Sequence, residues 1–224
     1  MKTRFTLLDA ATAVAAVGVA ALALWIAVNG PTGPVPVHFG LDGRPDRYGD
    51  RNEVAALLLF LASLTAVVAG SMGWHAARSD DPSRRRGLRS GQLVALVSLT
   101  GVAIFSGWTT LAASGGEMLE PAVPMAGVGL LLAAIGAFLG RVGPNPVIGV
   151  RTPWSYKSRL AWDRSNRLAG RLFFWIGLAG VLAAPLAPQP AGTIGLVVAV
   201  IIAAIWPAVE SWRVWRADPD RQPF

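Results

Sequence analysis

The sequence predicts an all-α, polytopic membrane protein with six transmembrane helices, and three observations carry that prediction. Six apolar stretches occupy residues 7–28, 54–75, 93–113, 122–139, 172–186 and 194–209, none with a charge in its middle. A helix needs about 20 apolar residues to cross a bilayer core, and 18 or more with few charges reads as a span. Hydrophobic residues make up 53% of the chain and charged residues only 15%, against about 25% charged in soluble domains. The third observation is where the cations fall.

Of the 20 Lys and Arg, all but Arg44, Arg47 and Arg51 lie in four segments. These are the N-terminus (Lys2, Arg4), the second loop (Arg78, Arg84, Arg85, Arg86, Arg89), the fourth loop and the tail (Arg213, Arg216, Arg221). The fourth loop holds Arg141, Arg151, Lys157, Arg159, Arg164, Arg167 and Arg171. The alternate loops are acidic, with Asp42, Asp46, Asp50, Glu53, Glu117 and Glu120. Cations are retained on the cytoplasmic side. Both termini are therefore expected on the cytoplasmic side, and an even number of spans follows. The net charge of +7 is thus a topology signal, and no nucleic-acid partner is expected from cations spread among loops without a binding module.

Each stretch has its own justification. The first follows Lys2 and Arg4 but exceeds the 7–15 residues of a signal-peptide core, so it is read as a span. The second ends at Trp74 and His75, an interfacial pair. Trp25 and Trp108 fall near outer helix ends, and Trp74, Trp206, Trp212 and Trp215 near inner ends, where an indole finds the headgroup layer. In the fourth stretch Gly127, Gly129 and Gly136 read as close-packing positions. The fifth is short, with Pro185 near its end, and is read as a span because Pro188, Pro190 and Gly192 turn it into the sixth. The chain divides into a two-span unit, residues 1–76 with an outer loop at 29–53, and a four-span unit, residues 77–224 with a cytoplasmic loop at 141–171.

Two loops are more than connectors. The outer one is dense in Pro and Gly, so it is no regular helix, and Asp42-Gly43 signals a turn. Pro36-Val-His38-Phe39 reads as extended, with Tyr48 and Phe39 expected to seat the loop on the bundle. His38, Asp42 and Asp46 at four-residue spacing suggest a metal site, but one histidine and no helix to align the three favour a turn-rich cap with paired Asp and Arg. In the inner loop Gly and Pro punctuate residues 143–153 and then vanish until Gly170, so a helix is expected from Tyr156, with Ser155 as N-cap. Arg159, Asp163 and Arg167 form an i, i+4 ladder on it. Trp154, Ala161 and Leu168 share one face and Lys157, Arg164 and Arg171 another. Such an amphipathic cationic helix lies in the inner headgroup layer, with anionic membrane lipids as partners.

These loops carry a family resemblance. Pro36, His38, Phe39, Gly43, Pro45, Asp46, Tyr48 and Gly49 resemble the pattern of a small domain of unknown function, with Gly40 where asparagine is usual. Asn145, Gly149, Arg151, Thr152, Pro153, Trp154, Trp162, Asn166 and Arg167 resemble the signature of the SdpI family. Ser155 replaces the usual threonine, and Arg159 stands where an acid is common. The resemblance implies a bacterial inner-membrane protein giving immunity to a secreted killing peptide, met on the outer side. It also implies signalling through a cytoplasmic regulator recruited on the inner side.

The residues themselves weigh the function classes. No cysteine is present, which removes disulfides, thiolate catalysis and Cys-based metal sites. No span holds an Asp pair, a Ser with a His, or His-Glu-x-x-His, so no enzyme activity and no cofactor are expected. Transporters place ionisable groups inside the membrane. Here Asp9 and Glu210 sit at span ends, and Thr12, Ser63, Thr65, Ser98, Thr100 and Ser106 are residues that bond to their own backbone or to a neighbouring helix. A small-molecule or peptide transporter, or a general envelope-stress protein, stays as the alternative. Arg151, flanked by Gly149 and Pro153, is the residue best suited to clamp an anion.

Overall fold

The structure, a computed structural model, describes residues 5–114 and 119–223. Lys2, Arg4 and Glu117, used above for orientation, lie outside them. The chain begins in helix α1 (Leu7–Asn29), where Asp9 Oδ2 accepts the Thr6 backbone N–H at 2.8 Å and the Thr6 hydroxyl at 3.0 Å. Such a reciprocal cap satisfies donors that the first turn leaves unpaired. Two short strands follow, β1 (Val35–Phe39) and β2 (Pro45–Gly49), paired antiparallel. This hairpin departs from the all-α expectation. Pro34 and Pro36 hold their neighbours extended, and the β-branched Val35 and Val37 suit a pleated ribbon.

A lone hairpin is marginal in water and needs packing. Val35 supplies it, fully buried against Val19, Ala23 and Ile26 of α1 and Leu58 of the next helix. That helix, α2 (Arg51–Arg78), is capped by Asp50, whose carboxylate accepts from the Asn52 and Glu53 N–H groups at 2.8 Å each. It contains one π-helical turn, Thr65–Ala69. Then come α3 (Pro82–Ser114), α4 (Ala122–Leu139), the single turn α5 (Pro153–Tyr156), α6 (Arg159–Ala183) and α7 (Ala191–Ala217).

Among the described residues, α1, α2, α3, α4 and α7 are long and apolar enough to cross a membrane. The expected fifth span lies in α6, which falls outside that group for a physical reason. Its first half carries Arg159, Asp163, Arg164, Arg167 and Arg171, and its apolar stretch is helical only to Ala183. Helix α6 is continuous from the polar half into the apolar one. Its start also differs from expectation. Thr152 caps α5, with Ser155 Oγ accepting the Thr152 N–H at 3.0 Å, and Ser158 caps α6 by accepting the Ala161 N–H at 2.9 Å.

The helices meet along two kinds of seam. The glycines of α4 and α6 bring those backbones together: a Cβ on Gly136 would lie 2.3 Å from Phe174 N, and one on Gly177 2.4 Å from both Ala133 N and Gly129 O. Small residues permit this approach, and close van der Waals packing is what drives helix association where no water is excluded. Gly129 and Gly136 therefore serve the packing role expected of them, while Gly127 faces the Phe105 ring of α3.

The other seam is polar. Asp9 of α1 pairs with Arg89 of α3, Gln92 Nε2 donates to Asp9 Oδ1 at 3.1 Å and to Thr12 Oγ1 at 3.0 Å, and Arg89 Nη1 donates to Gln92 Oε1 at 2.7 Å. Gln92 is fully buried, and the Asp9 and Arg89 side chains are 15% and 17% exposed. Removing one partner of such a pair strands the other charge and costs about 3–5 kcal/mol; replacing both is far milder. Arg89→Met is therefore expected to lower the detergent-unfolding midpoint sharply, and adding Asp9→Asn to recover most of it. Equal loss in the single and double variants would show that α1 and α3 do not depend on this pair.

The segments between helices gather at two opposite ends. At one end Thr6, Arg85, Arg86, Arg89, Arg141, Gly143, Arg159 and Asp163 line a single cavity, so the start of α1, the α2–α3 turn and the loop after α4 converge there. The chain after α7 joins them, since Gln222 N–H reaches Lys157 O at 2.8 Å. At the other end the hairpin abuts the approach to α4. Gly43, at φ +75°, comes so close that a Cβ would lie 2.0 Å from Pro121 O. Only glycine satisfies both that dihedral and that contact.

Candidate functional site

The loop between α4 and α6 is held by side chains that bond to its backbone. Asn145 uses its whole bonding capacity at once. Its Nδ2 donates to Gly143 O and Ile148 O, both at 2.9 Å, and its Oδ1 accepts from Val147 N at 2.8 Å and Ile148 N at 2.7 Å. Two donors and two acceptor bonds exhaust a carboxamide. The chain then passes through Gly149 at φ +123°, a region that disfavours any residue with a Cβ. A Cβ there would also lie 2.6 Å from Asn166 Oδ1 and 3.1 Å from the Trp162 ring.

Helix α6 supplies the other half of this knot. Asn166 Oδ1 accepts the Val150 N–H at 2.8 Å, and its Nδ2 donates to Trp162 O at 2.9 Å. Trp162 is fully buried, donates from Nε1 to Val142 O at 2.8 Å, and lies 5.7 Å from the Tyr156 ring. The Tyr156 hydroxyl donates to Asn145 O at 3.2 Å. Ser155 Oγ donates to Val150 O at 2.7 Å. Asn145, Thr152, Trp162 and Asn166, scattered over 22 positions in sequence, are thus one hydrogen-bonded assembly packed around the turn at Gly149.

The remaining inner-loop residues stand apart from it. Arg151 is exposed and donates from Nη1 to Pro146 O at 2.5 Å. Pro153 opens α5, where its fixed φ and missing N–H cost nothing. Trp154 is half-buried on that turn. Arg167 is exposed on the far side of α6, with its backbone against Gly140. Of the expected ladder, Arg159 Nε reaches Asp163 at 3.4 Å, while Arg167 Nε donates to the Asp163 carbonyl at 3.0 Å instead of the carboxylate.

Some participants have no signal in the sequence. Ser211 Oγ donates to Ala208 O at 2.6 Å, so the 2.7 Å contact from Thr152 Oγ1 must be a donation to Ser211. Asp218, buried, accepts from the Ser158 hydroxyl, and Lys157 Nζ donates to Pro223 O at 2.6 Å. The loop is therefore stitched to the segment after α7. Beneath it lies a largely apolar cavity of about 620 Å³, whose walls include Val68, Leu99, Ile135, Phe173 and Ala204, with Arg151 among the residues lining it.

The hairpin arranges the second set of residues. Pro36 pairs with Tyr48, His38 with Arg47 and Phe39 with Pro45, with irregular register on both sides of His38. His38 Nδ1 lies 2.6 Å from Asp46 Oδ1, on an exposed face. Asp42 is used inside the turn, where Oδ1 accepts the Arg44 N–H at 3.0 Å. His38, Asp42 and Asp46 therefore do not converge as a ligand set. The expected Asp–Arg pairing is also redistributed. Arg47 pairs with Glu53, and Arg51 donates to Val28 O at 3.2 Å. Phe39 seats the hairpin, its ring 6.2 Å from Phe105, whereas Tyr48 points away and is 57% exposed. Gly49 lies against Glu53, whose Oε2 would sit 2.3 Å from an added Cβ.

The chain matches no curated protein and no solved structure. A family model does match, over residues 141–211, which spans the knot, all of α6 and most of α7 and leaves out the hairpin. Residues 141–211 match the SdpI/YfhL protein family, and five helices long and apolar enough to cross a membrane make the chain a multi-pass membrane protein.

Proposed function

We propose that the protein confers immunity on a bacterial inner membrane against a secreted killing peptide, acting by binding rather than catalysis. The observation that carries this reading is the family match over the loop whose signature residues form the knot. In that loop Asn145, Trp162 and Asn166 are consumed in holding backbone around the Gly149 turn, which leaves Arg151 and Trp154 as the groups presented to a partner. A guanidinium on a rigid loop is a suitable clamp for a carboxylate, a phosphate or a helix C-terminus.

Six crossings, with both termini cytoplasmic, fit this function. Helix α6 runs 25 residues, about 37 Å at 1.5 Å per residue, from the basic end to the cluster of Met125, Ala184 and Leu196 at the other. The basic end then faces the cytoplasm and meets anionic lipid and a regulator protein, in keeping with cation retention. The hairpin meets the peptide outside, with His38, Asp46 and Tyr48 on its exposed face.

The test is survival and membrane potential of a sensitive bacterium expressing the chain and challenged with an SDP-type killing peptide. Wild type is expected to keep its potential, and Arg151→Ala or Trp154→Ala to lose protection while inserting normally. Normal protection by both well-inserted variants removes the inner loop from the mechanism. Depolarisation of wild type, variants and empty vector alike removes immunity to that peptide.

The cavity of about 620 Å³ under the loop favours a second reading, a transporter of lipophilic molecules or peptides. It predicts efflux that is lost when Ala204→Trp fills the cavity, with no dependence on a toxin.

A further inference from the structure

A cleft of about 780 Å³ opens between α4 and α6 at the basic end, separate from the knot and the cavity beneath it. Arg141, Arg164, Arg167 and Arg171 line it. The last three recur at i, i+3 and i+7 and so share one face of α6. Among the described residues, no carboxylate forms an ion pair with any of these four. Arg167 and Arg171 spend only Nε, on the Asp163 and Arg167 carbonyls at 3.0 and 3.4 Å. Glu210, also on the wall, lies 3.9 Å from Arg213.

One turn further along α6 the wall becomes apolar, with Phe174 and Trp175, the latter 63% exposed. The floor lacks side chains because Gly136, Gly140 and Gly170 bring the two backbones together. The cleft thus joins a cluster of guanidinium groups directly to an apolar groove. A soluble anion would use only the first part and a hydrocarbon only the second. An amphiphile with a phosphate head and acyl chains uses both.

We propose that this cleft is a specific site for an anionic phospholipid of the adjoining leaflet. Its phosphate is held by Arg141, Arg164, Arg167 and Arg171, and one acyl chain lies along Phe174 and Trp175. Guanidinium forks grip phosphate oxygens in pairs, so four of them favour a lipid with two phosphodiesters over one with a single phosphate. The site rests on the reading that the basic end meets a headgroup layer, and it deepens that reading from general attraction to a discrete pocket.

The experiment is native mass spectrometry of the full chain in detergent, titrated separately with cardiolipin, phosphatidylglycerol, phosphatidylcholine and glycerol phosphate. Cardiolipin is expected to bind tightest and phosphatidylcholine weakest. The triple variant Arg164→Gln, Arg167→Gln, Arg171→Gln should bind cardiolipin on the order of 100-fold more weakly, as three surface cations are worth together. The charge-matched triple Arg84→Gln, Arg85→Gln, Arg86→Gln should bind like wild type. Ala137→Trp, which fills the exposed cleft without changing charge or the glycine seam, should also abolish binding. Equal loss in the two triple variants would reduce the effect to general charge attraction and overturn the site. So would full competition by glycerol phosphate, or undiminished binding by Ala137→Trp. Because the readout is lipid binding and involves no toxin, its failure is distinguishable from failure of the immunity reading.

Discussion

Gly177→Leu separates α4 from α6. At this position even a Cβ would stand 2.4 Å from Ala133 N and from Gly129 O, both of them backbone atoms. Overpacking that side chains can absorb costs about 1–3 kcal/mol. Backbone cannot rotate aside, so the cost here is expected at or above the top of that range, roughly 3 kcal/mol or more. The variant should lose its folded population in mild detergent and be cleared from the membrane in cells. Gly195→Leu is the control, since no atom lies within 4 Å of a Cβ there. Thermal unfolding followed by size-exclusion recovery reads both. A Gly177→Leu protein as stable as Gly195→Leu would mean that the glycine seam is not what holds these helices together.

The second large effect belongs to Trp162. Its indole is fully buried, its Nε1–H satisfies Val142 O at 2.8 Å, and its ring walls the pocket in which Gly149 turns. Trp162→Ala removes ring and bond together and is expected to cost about 3–5 kcal/mol. Trp162→Phe keeps most of the volume and loses the bond to a buried carbonyl, a cost of about 1–3 kcal/mol. Hydrogen exchange should show residues 142–152 released first, with α1 and α2 unaffected. Were the loop to stay protected in Trp162→Ala, the assembly around Asn145 and Asn166 would be sufficient without it.

What the sequence made legible follows from the range over which each signal acts. Uninterrupted apolar runs located α1, α2, α3, α4 and α7, because burial in lipid is decided residue by residue. The helix expected from Tyr156 is present from Arg159, since the absence of Gly and Pro up to Ala169 is a local property. Its first residue was misplaced because Ser155 and Ser158 are equally good caps locally. The choice falls to Ser158, whose hydroxyl also bonds to Asp218, 60 positions away. The same limit hid the Asp9–Arg89–Gln92 cluster, whose members come from α1 and α3.

The hairpin shows a different limit. Extended backbone at Pro36–Phe39 was readable, but register irregularities on either side of His38 break the alternation that tells inward from outward residues. Phe39 consequently packs on Phe105 while Tyr48 faces out. In the inner loop the residue types marked a segment that folds into the knot, yet not their division of labour. Asn145, Thr152, Trp162 and Asn166 bond to backbone around the turn at Gly149, and Arg151 lies exposed beside them.

Helix α6 has a mechanical consequence. It is one uninterrupted rod from Arg159 to Ala183, clamped near its start by Trp162 and Asn166 and near its end by the packing of Ala184 with Met125 and Leu196. Met125 belongs to α4, whose approach at Pro121 is touched by the turn of the hairpin. The hairpin turn, the start of α4 and the far end of α6 are therefore neighbours in one chain of contacts, and the signature loop is carried by the opposite end of that same helix.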